Sequence, residues 1–127
     1  MILSYLFWDD ELADMIDNGF LKKTVVSPAQ LNVVIPSKID GVQVKVIGAF
    51  AFEDFDLKSV VIPEGVEVIE YAAFGGNNLK SITFPKSLRI IETDSFSGNY
   101  ISKIIIPENV EEIGWGAFGN AGMLYER

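Results

Sequence analysis

Phe52, Phe74, Phe96 and Phe118 recur every 22 residues, and this spacing restricts the possible folds more than any other feature of the chain. An isoleucine precedes each by five places: Ile47, Ile69, Ile91 and Ile113. The residue directly before each phenylalanine is small: Ala51, Ala73, Ser95 and Ala117. A single coil of this length cannot bury its own apolar face, so a fixed period of roughly 20–30 residues implies coils stacked into a solenoid.

Aligned on that period, the chain reads Leu57-Lys-Ser-Val60-Val-Ile62-Pro63, then Leu79-Lys-Ser-Ile82-Thr-Phe84-Pro85, then Ile101-Ser-Lys-Ile104-Ile-Ile106-Pro107. Apolar residues at the fourth and sixth places alternate as in a half-buried strand. Proline, with no N–H to give a ladder, ends it. Val66, Leu88 and Val110 follow, then the isoleucine column. The Ala/Ser column is expected to stay small because neighbouring coils approach closely there. Counting back from Pro36 puts earlier strand residues at Val33 and Ile35. Pro36 to Pro63 covers 27 residues, five more than the period. The excess falls between Ser37 and Lys45, around the hairpin signal Asp40-Gly41.

Charge follows the same columns. Glu64, Lys86 and Glu108 form one, and Glu67, Arg89 and Glu111 another, each with a basic middle rung. Coils spaced by about 4.7–4.9 Å let such side chains pair across rungs and oppose a slip of register.

The ends of the stack need caps. Asp9 to Asn18 is predicted as a cap helix, with Leu12, Met15 and Ile16 on one face. Asp9 or Asp10 would cap it, and Asn18-Gly19 would end it. Phe20 to Val26 suits a following strand. Trp8, Tyr5 and Phe7 are read as cap core. Met123 falls in the Leu57/Leu79/Ile101 column, but Glu126 stands where the next apolar residue is due. The solenoid is therefore expected to stop there, poorly capped. Residues 1–32 form the cap in this reading. Residues 33–127 carry coils at about 33–56, 57–78, 79–100 and 101–122, then a short tail.

Composition narrows the function. The net charge of −8 disfavours nucleic acid and anionic membrane surfaces. Without cysteine there is no disulfide and no thiolate chemistry, and without histidine the commonest base and metal ligand are missing. Ile2 to Trp8 has no basic residue before it and is followed by Asp9-Asp10-Glu11, so it does not read as a signal peptide. It is also too short to cross a bilayer.

The string Leu-x-Ser-Ile-x-Ile-Pro, then Val-x-x-Ile, then Ala-Phe resembles the BspA-like leucine-rich repeats, which are abundant in bacterial and some protist surface proteins. Residues 33 to 123 carry the resemblance. Ile35-Pro36, Asp40-Gly41, Val46-Ile47-Gly48 and Ala51-Phe52 look like a first repeat of that family with its extra loop. Gly65, Ser87 and Asn109 occupy the place where the wider leucine-rich pattern has Asn or Cys. The resemblance implies a curved solenoid that binds proteins, often in adhesion or host contact, in a secreted or cell-surface setting. The fold class expected is a β-rich α/β solenoid: a short right-handed leucine-rich-repeat superhelix of about four coils with a helical N-terminal cap.

Outward strand positions are the expected binding surface: Ser59 and Val61, Ser81 and Thr83, Lys103 and Ile105. Val61, Thr83 and Ile105 form a mildly apolar column on the concave side. The column is open to two readings, a partner footprint or the β-propensity of an exposed strand. Tyr71 and Trp115 share a column with Ala49 and Thr93. They suit a recognition anchor or packing over the turn, the latter preferred. Asn77 and Asn99 are expected to hydrogen-bond turn backbone.

The acidic strings Asp9-Asp10-Glu11, Glu53-Asp54-Asp56 and Glu111-Glu112 lack the spacing of a calcium loop, so no metal or cofactor is implied. The chain is thus read as a non-catalytic module for a protein partner. One alternative is a homodimer through an open edge strand, Ile101 to Ile106. The other is a carboxylate-dependent hydrolase, which would need a deep pocket lined by two buried acids.

Overall fold

The structure, a computed structural model, describes residues 16–17, 20–21, 32–119 and 124–126. In chain order its strands begin with β1 (Ile16–Asp17), β2 (Phe20–Leu21), β3 (Asn32–Val34), β4 (Lys38–Ile39), β5 (Val42–Gln43) and β6 (Val46–Ile47). They continue with β7 (Ser59–Val61), β8 (Val68–Ile69), β9 (Ile90–Ile91), β10 (Lys103–Ile105), β11 (Glu112–Ile113) and β12 (Leu124–Glu126).

The 22-residue period becomes two parallel ladders. In the first, β6, β8, β9 and β11 are successive neighbours, with Ile47, Ile69, Ile91 and Ile113 in register. Strand β2 extends this ladder beside β6, and β1 closes its end antiparallel. The second ladder lies along the strands before each proline. Its pairs are β3 with β7 and β10 with β12. Residues 81–83, the rung between, make no ladder pairing. There Phe84 replaces the isoleucine of its neighbours (Ile62 and Ile106), and its ring lies 5.5 Å from Phe96 and 6.2 Å from Phe118.

Between the ladders runs the core. Phe52, Phe74, Phe96 and Phe118 are buried in one stack, with successive ring centroids 5.2, 5.2 and 5.6 Å apart. The small column beside them is buried as well, and its carbonyls take the next stitches. Phe52 N–H donates to Ala73 O, Phe74 N–H to Ser95 O and Phe96 N–H to Ala117 O, at 2.7–2.8 Å. A larger side chain there would push apart backbones that must stay at bonding distance.

Asn77 and Asn99 are the buried polar counterpart. Asn77 Oδ1 accepts from Phe55 N–H and Leu57 N–H, while Nδ2 donates to Phe52 O and Phe74 O. Asn99 repeats the pattern one coil on, with Leu79 N–H, Phe74 O and Phe96 O. A carboxamide can both donate and accept, so it satisfies turn groups that no strand reaches.

The extra residues of the first coil form the antiparallel hairpin β4–β5, turned at Asp40 and Gly41, both with positive φ as such a turn requires. A different device serves Gly65, which has a φ of 104°. A Cβ there would collide with Gln43 Nε2, which donates to Ser37 O and approaches Glu64 O.

Three expectations change. Ile16–Asp17 is a strand paired with Phe20–Leu21, where a helix over 9–18 had been predicted, and no helix occurs among the described residues. The residues separating these strands are Asn18-Gly19, which as a dipeptide signals a two-residue hairpin more strongly than a helix end. Residues 9–15 of that segment, together with Trp8, Tyr5, Phe7, Met123 and positions 22–26, lie outside the described residues.

At the other end β12 continues the second ladder instead of leaving it open. Its register is Ile104 opposite Tyr125, an offset of 21 rather than 22. That single step puts Tyr125, not Glu126, opposite Ile104 in the register. Residues 103–105 of the Ile101 to Ile106 segment, expected to be an open edge, therefore have β12 as a partner on that side.

The third change concerns charge. Arg89 does bridge Glu67 at 3.8 Å and Glu111 at 3.0 Å. Lys86 forms no such ion pair among the described residues; instead its backbone N–H donates to Glu64 Oε1 at 2.7 Å.

Candidate interaction surface

Alternation along the second ladder sends every other side chain outward. Ser59, Val61, Ser81, Thr83, Lys103 and Ile105 are all exposed, while Val60 and Ile104 between them are buried. Val61 is 54% and Ile105 61% exposed, large values for aliphatic side chains. Ser59, Val61, Ser81 and Thr83 come together around a shallow cavity of ≈ 310 Å³ whose far end is lined by Glu64 and Pro85. It lies over the unpaired rung 81–83. Lys103 and Ile105 sit on the following rung, outside that cavity. Ser59 Oγ donates to Asn32 Oδ1 at 2.7 Å, tying the face to the first coil.

The turn side carries the aromatics. Trp115 is 85% exposed, so it does not pack over the turn as preferred from sequence. Tyr71, 43% exposed, does pack: its ring meets Phe50 edge-on at 5.3 Å. Phe50 was not singled out by the sequence pattern, although it is itself half exposed and has a φ of 61°. It belongs to a left-handed column with Ala72, Asp94 and Gly116. Only the last two residue types advertise such a conformation.

Next to Tyr71 a cavity of ≈ 560 Å³ is bordered by Glu92, Thr93, Glu112, Ile113 and Gly114. Glu92 Oε2 accepts from Tyr71 N–H at 2.9 Å, as Glu70 Oε1 accepts from Ala49 N–H at 3.1 Å one coil earlier. Burial pushes the Glu70 carboxyl above the ordinary glutamate value; the Ala49 N–H opposes this and the Glu92 charge adds to it. Glu92 is half-buried, and Glu111 and Glu112 are exposed. Two buried acids facing one another, which the hydrolase alternative requires, do not line this cavity. Among the described residues no three acidic side chains converge on a point that could hold a metal ion.

Comparison with known proteins matches the BspA type leucine-rich repeat region to residues 31–126, in six copies. Among solved structures, a leucine-rich repeat protein of T. pallidum is 27% identical with a TM-score of 0.60, covering 78% of this chain and 57% of its own. A leucine-rich repeat protein of Bacteroides ovatus is 24% identical with a TM-score of 0.53, covering 76% of this chain and 33% of its own, a likeness of fold. The chain thus spans a little over half the length of the first and a third of the second. No curated protein matches it.

Proposed function

The chain belongs to the BspA-type leucine-rich repeat family, and from that premise we propose that it is a non-catalytic module binding a protein partner. The site in this reading is the concave strand face of Ser59, Val61, Ser81, Thr83, Lys103 and Ile105. One observation carries it: Val61 and Ile105 hold apolar side chains in solvent on the strands of two ladder pairs, with Thr83 on the unpaired rung between them. Single exposed aliphatics are common, but a column at the same position of successive coils offers the extended surface that solenoids use for partners. Because the Phe stack and the Asn77 and Asn99 bonds fix the backbone, little ordering entropy opposes binding. The family resemblance supports a role in adhesion or host contact at a cell surface.

The test compares the native chain with Val61→Glu/Thr83→Glu/Ile105→Glu, its fold verified by circular dichroism, as baits in bacterial and animal-cell extracts. A protein held by the native chain and lost by the variant is the expected result. Equal retention by both moves the site to Tyr71 and Trp115. If the native bait retains nothing, the interaction-module reading fails.

A further inference from the structure

The strand face differs in charge from the rest of the molecule. The chain has 18 acidic and 10 basic residues, yet the segments 57–62, 79–84 and 101–106 contain no aspartate or glutamate. They contain Lys58, Lys80 and Lys103 instead. Lys58 and Lys80 occupy the same position in consecutive coils, about one strand spacing apart, and both are exposed.

Neither lysine forms an ion pair among the described residues. Like charges placed side by side on a ladder repel, and this chain neutralises such a column elsewhere, where Arg89 lies between Glu67 and Glu111. At Lys58 and Lys80 no carboxylate is interleaved.

These lysines border a cavity of ≈ 560 Å³ completed by Asn78 and Tyr100. Tyr100, which helps line it, is 67% exposed, and its hydroxyl makes no hydrogen bond among the described residues. The backbone beneath is held firmly. Asn78 N–H donates to Leu57 O and Tyr100 N–H to Leu79 O, both at 2.9 Å, and the buried Asn77 and Asn99 brace the same turns. Along each rung the surface therefore starts basic at Lys58 and Lys80 and becomes apolar at Val61 and Thr83. The first of these rungs ends at Glu64, whose carboxylate is engaged by the N–H of Lys86, the equivalent residue that ends the second.

We infer that Lys58, Lys80, Asn78 and Tyr100 form a docking pocket for carboxylate side chains of the partner. The partner segment is acidic at one end and apolar along the part that follows. This inference rests on the strand-face reading and specifies the chemistry of what that face binds. Carboxylates would remove the lysine–lysine repulsion and take hydrogen bonds from the ammonium groups and the Tyr100 hydroxyl. The apolar part would cover Val61, Thr83 and Ile105. Lys58 and Lys80 at this end of the rungs would orient the partner, because electrostatic complementarity sets register and association rate more than it sets affinity.

The experiment selects a displayed random peptide library against the native chain. Winners are then measured by fluorescence anisotropy on the native chain, Lys58→Glu/Lys80→Glu, Tyr100→Ala and Val61→Glu/Thr83→Glu/Ile105→Glu, all verified as folded. Winners are expected to carry adjacent Asp or Glu on one flank of an apolar run. They should bind more weakly as salt rises and lose at least about tenfold in affinity on the lysine-reversed variant. Reselection on that variant should return basic flanks. Winners without acidic bias, or bound equally by the lysine-reversed variant, overturn the inference. If those same winners fail on the Val61/Thr83/Ile105 variant, the strand-face reading survives that loss. Winners sensitive to the lysines but not to the apolar column would uphold the pocket and contradict the strand face. An absence of winners on the native chain overturns the inference as well.

Discussion

Replacing Phe74 with alanine removes a ring that is fully buried and stacked on both sides. Its centroid is 5.2 Å from Phe52 and 5.2 Å from Phe96, with planes 3° and 9° from parallel. Truncating a buried phenylalanine costs about 3–5 kcal/mol from lost transfer energy and the cavity left behind. How far the site collapses decides where in that range the cost falls. Here the coils cannot close on the gap, because Phe52 N–H to Ala73 O and Phe74 N–H to Ser95 O pin the rungs at 2.8 Å.

The cost is therefore expected in the upper half, about 4–5 kcal/mol, a large part of the ~5–15 kcal/mol typical of a whole domain. Phe74→Leu keeps aliphatic bulk but loses both ring faces, and about 2 kcal/mol is expected for it. Urea titration followed by far-ultraviolet circular dichroism measures both. The midpoint should fall in that order, with an unchanged slope if unfolding stays cooperative. A loss below about 1 kcal/mol for Phe74→Ala would refute the claim that the phenylalanine stack carries the core.

Ser95 occupies the column otherwise filled by Ala51, Ala73 and Ala117, and its buried Oγ has no hydrogen-bond partner; Ser95→Ala should stabilise by about 1 kcal/mol in the same titration. Asn77→Ala would orphan Phe55 N–H, Leu57 N–H and Phe52 O, so a loss of about 3 kcal/mol or more is expected, with faster amide exchange at Leu57. Glu70 keeps its proton to a higher pH folded than unfolded, so its contribution is complete at acidic pH and is lost as pH rises through the folded value. Glu70→Gln retains an acceptor for Ala49 N–H, so native stability relative to this variant should fall over the interval that begins at the ordinary glutamate value, about 4.3, and runs upward. A relative gain over that interval would mean the shift has the opposite sign.

The sequence made the stack legible because one period set many columns together. Phe52 to Phe118, Ile47 to Ile113 and the Asp40-Gly41 hairpin are all explained by that period and by turn chemistry. The outward alternation at Ser59, Val61, Ser81 and Thr83 was legible for the same reason. The period could not show where it fails. β12 pairs at an offset of 21, so Glu126 appeared to interrupt a column that Tyr125 continues. Asn18-Gly19 is the stronger signal for a hairpin but also ends helices, and the pairing of Ile16–Asp17 with Phe20–Leu21 decides between them.

The turn column of Phe50, Ala72, Asp94 and Gly116 hid its left-handed backbone because two of its four members are residues that avoid it. Phe50 was missed for that reason, although its ring packs against Tyr71. Trp115 was misjudged because column-mates as unlike as Ala49 and Thr93 say nothing of exposure. Lys86 shows the limit of column reasoning for charge: its position was right, but its backbone rather than its ammonium group meets Glu64.

Hydrogen–deuterium exchange on the native chain, free and bound to the protein it captures, tests the central claim most directly. Protection confined to 59–61, 81–83 and 103–105 is the predicted footprint of a partner on the strand face. Protection centred on Tyr71 and 113–115, with the strand segments unchanged, would contradict it.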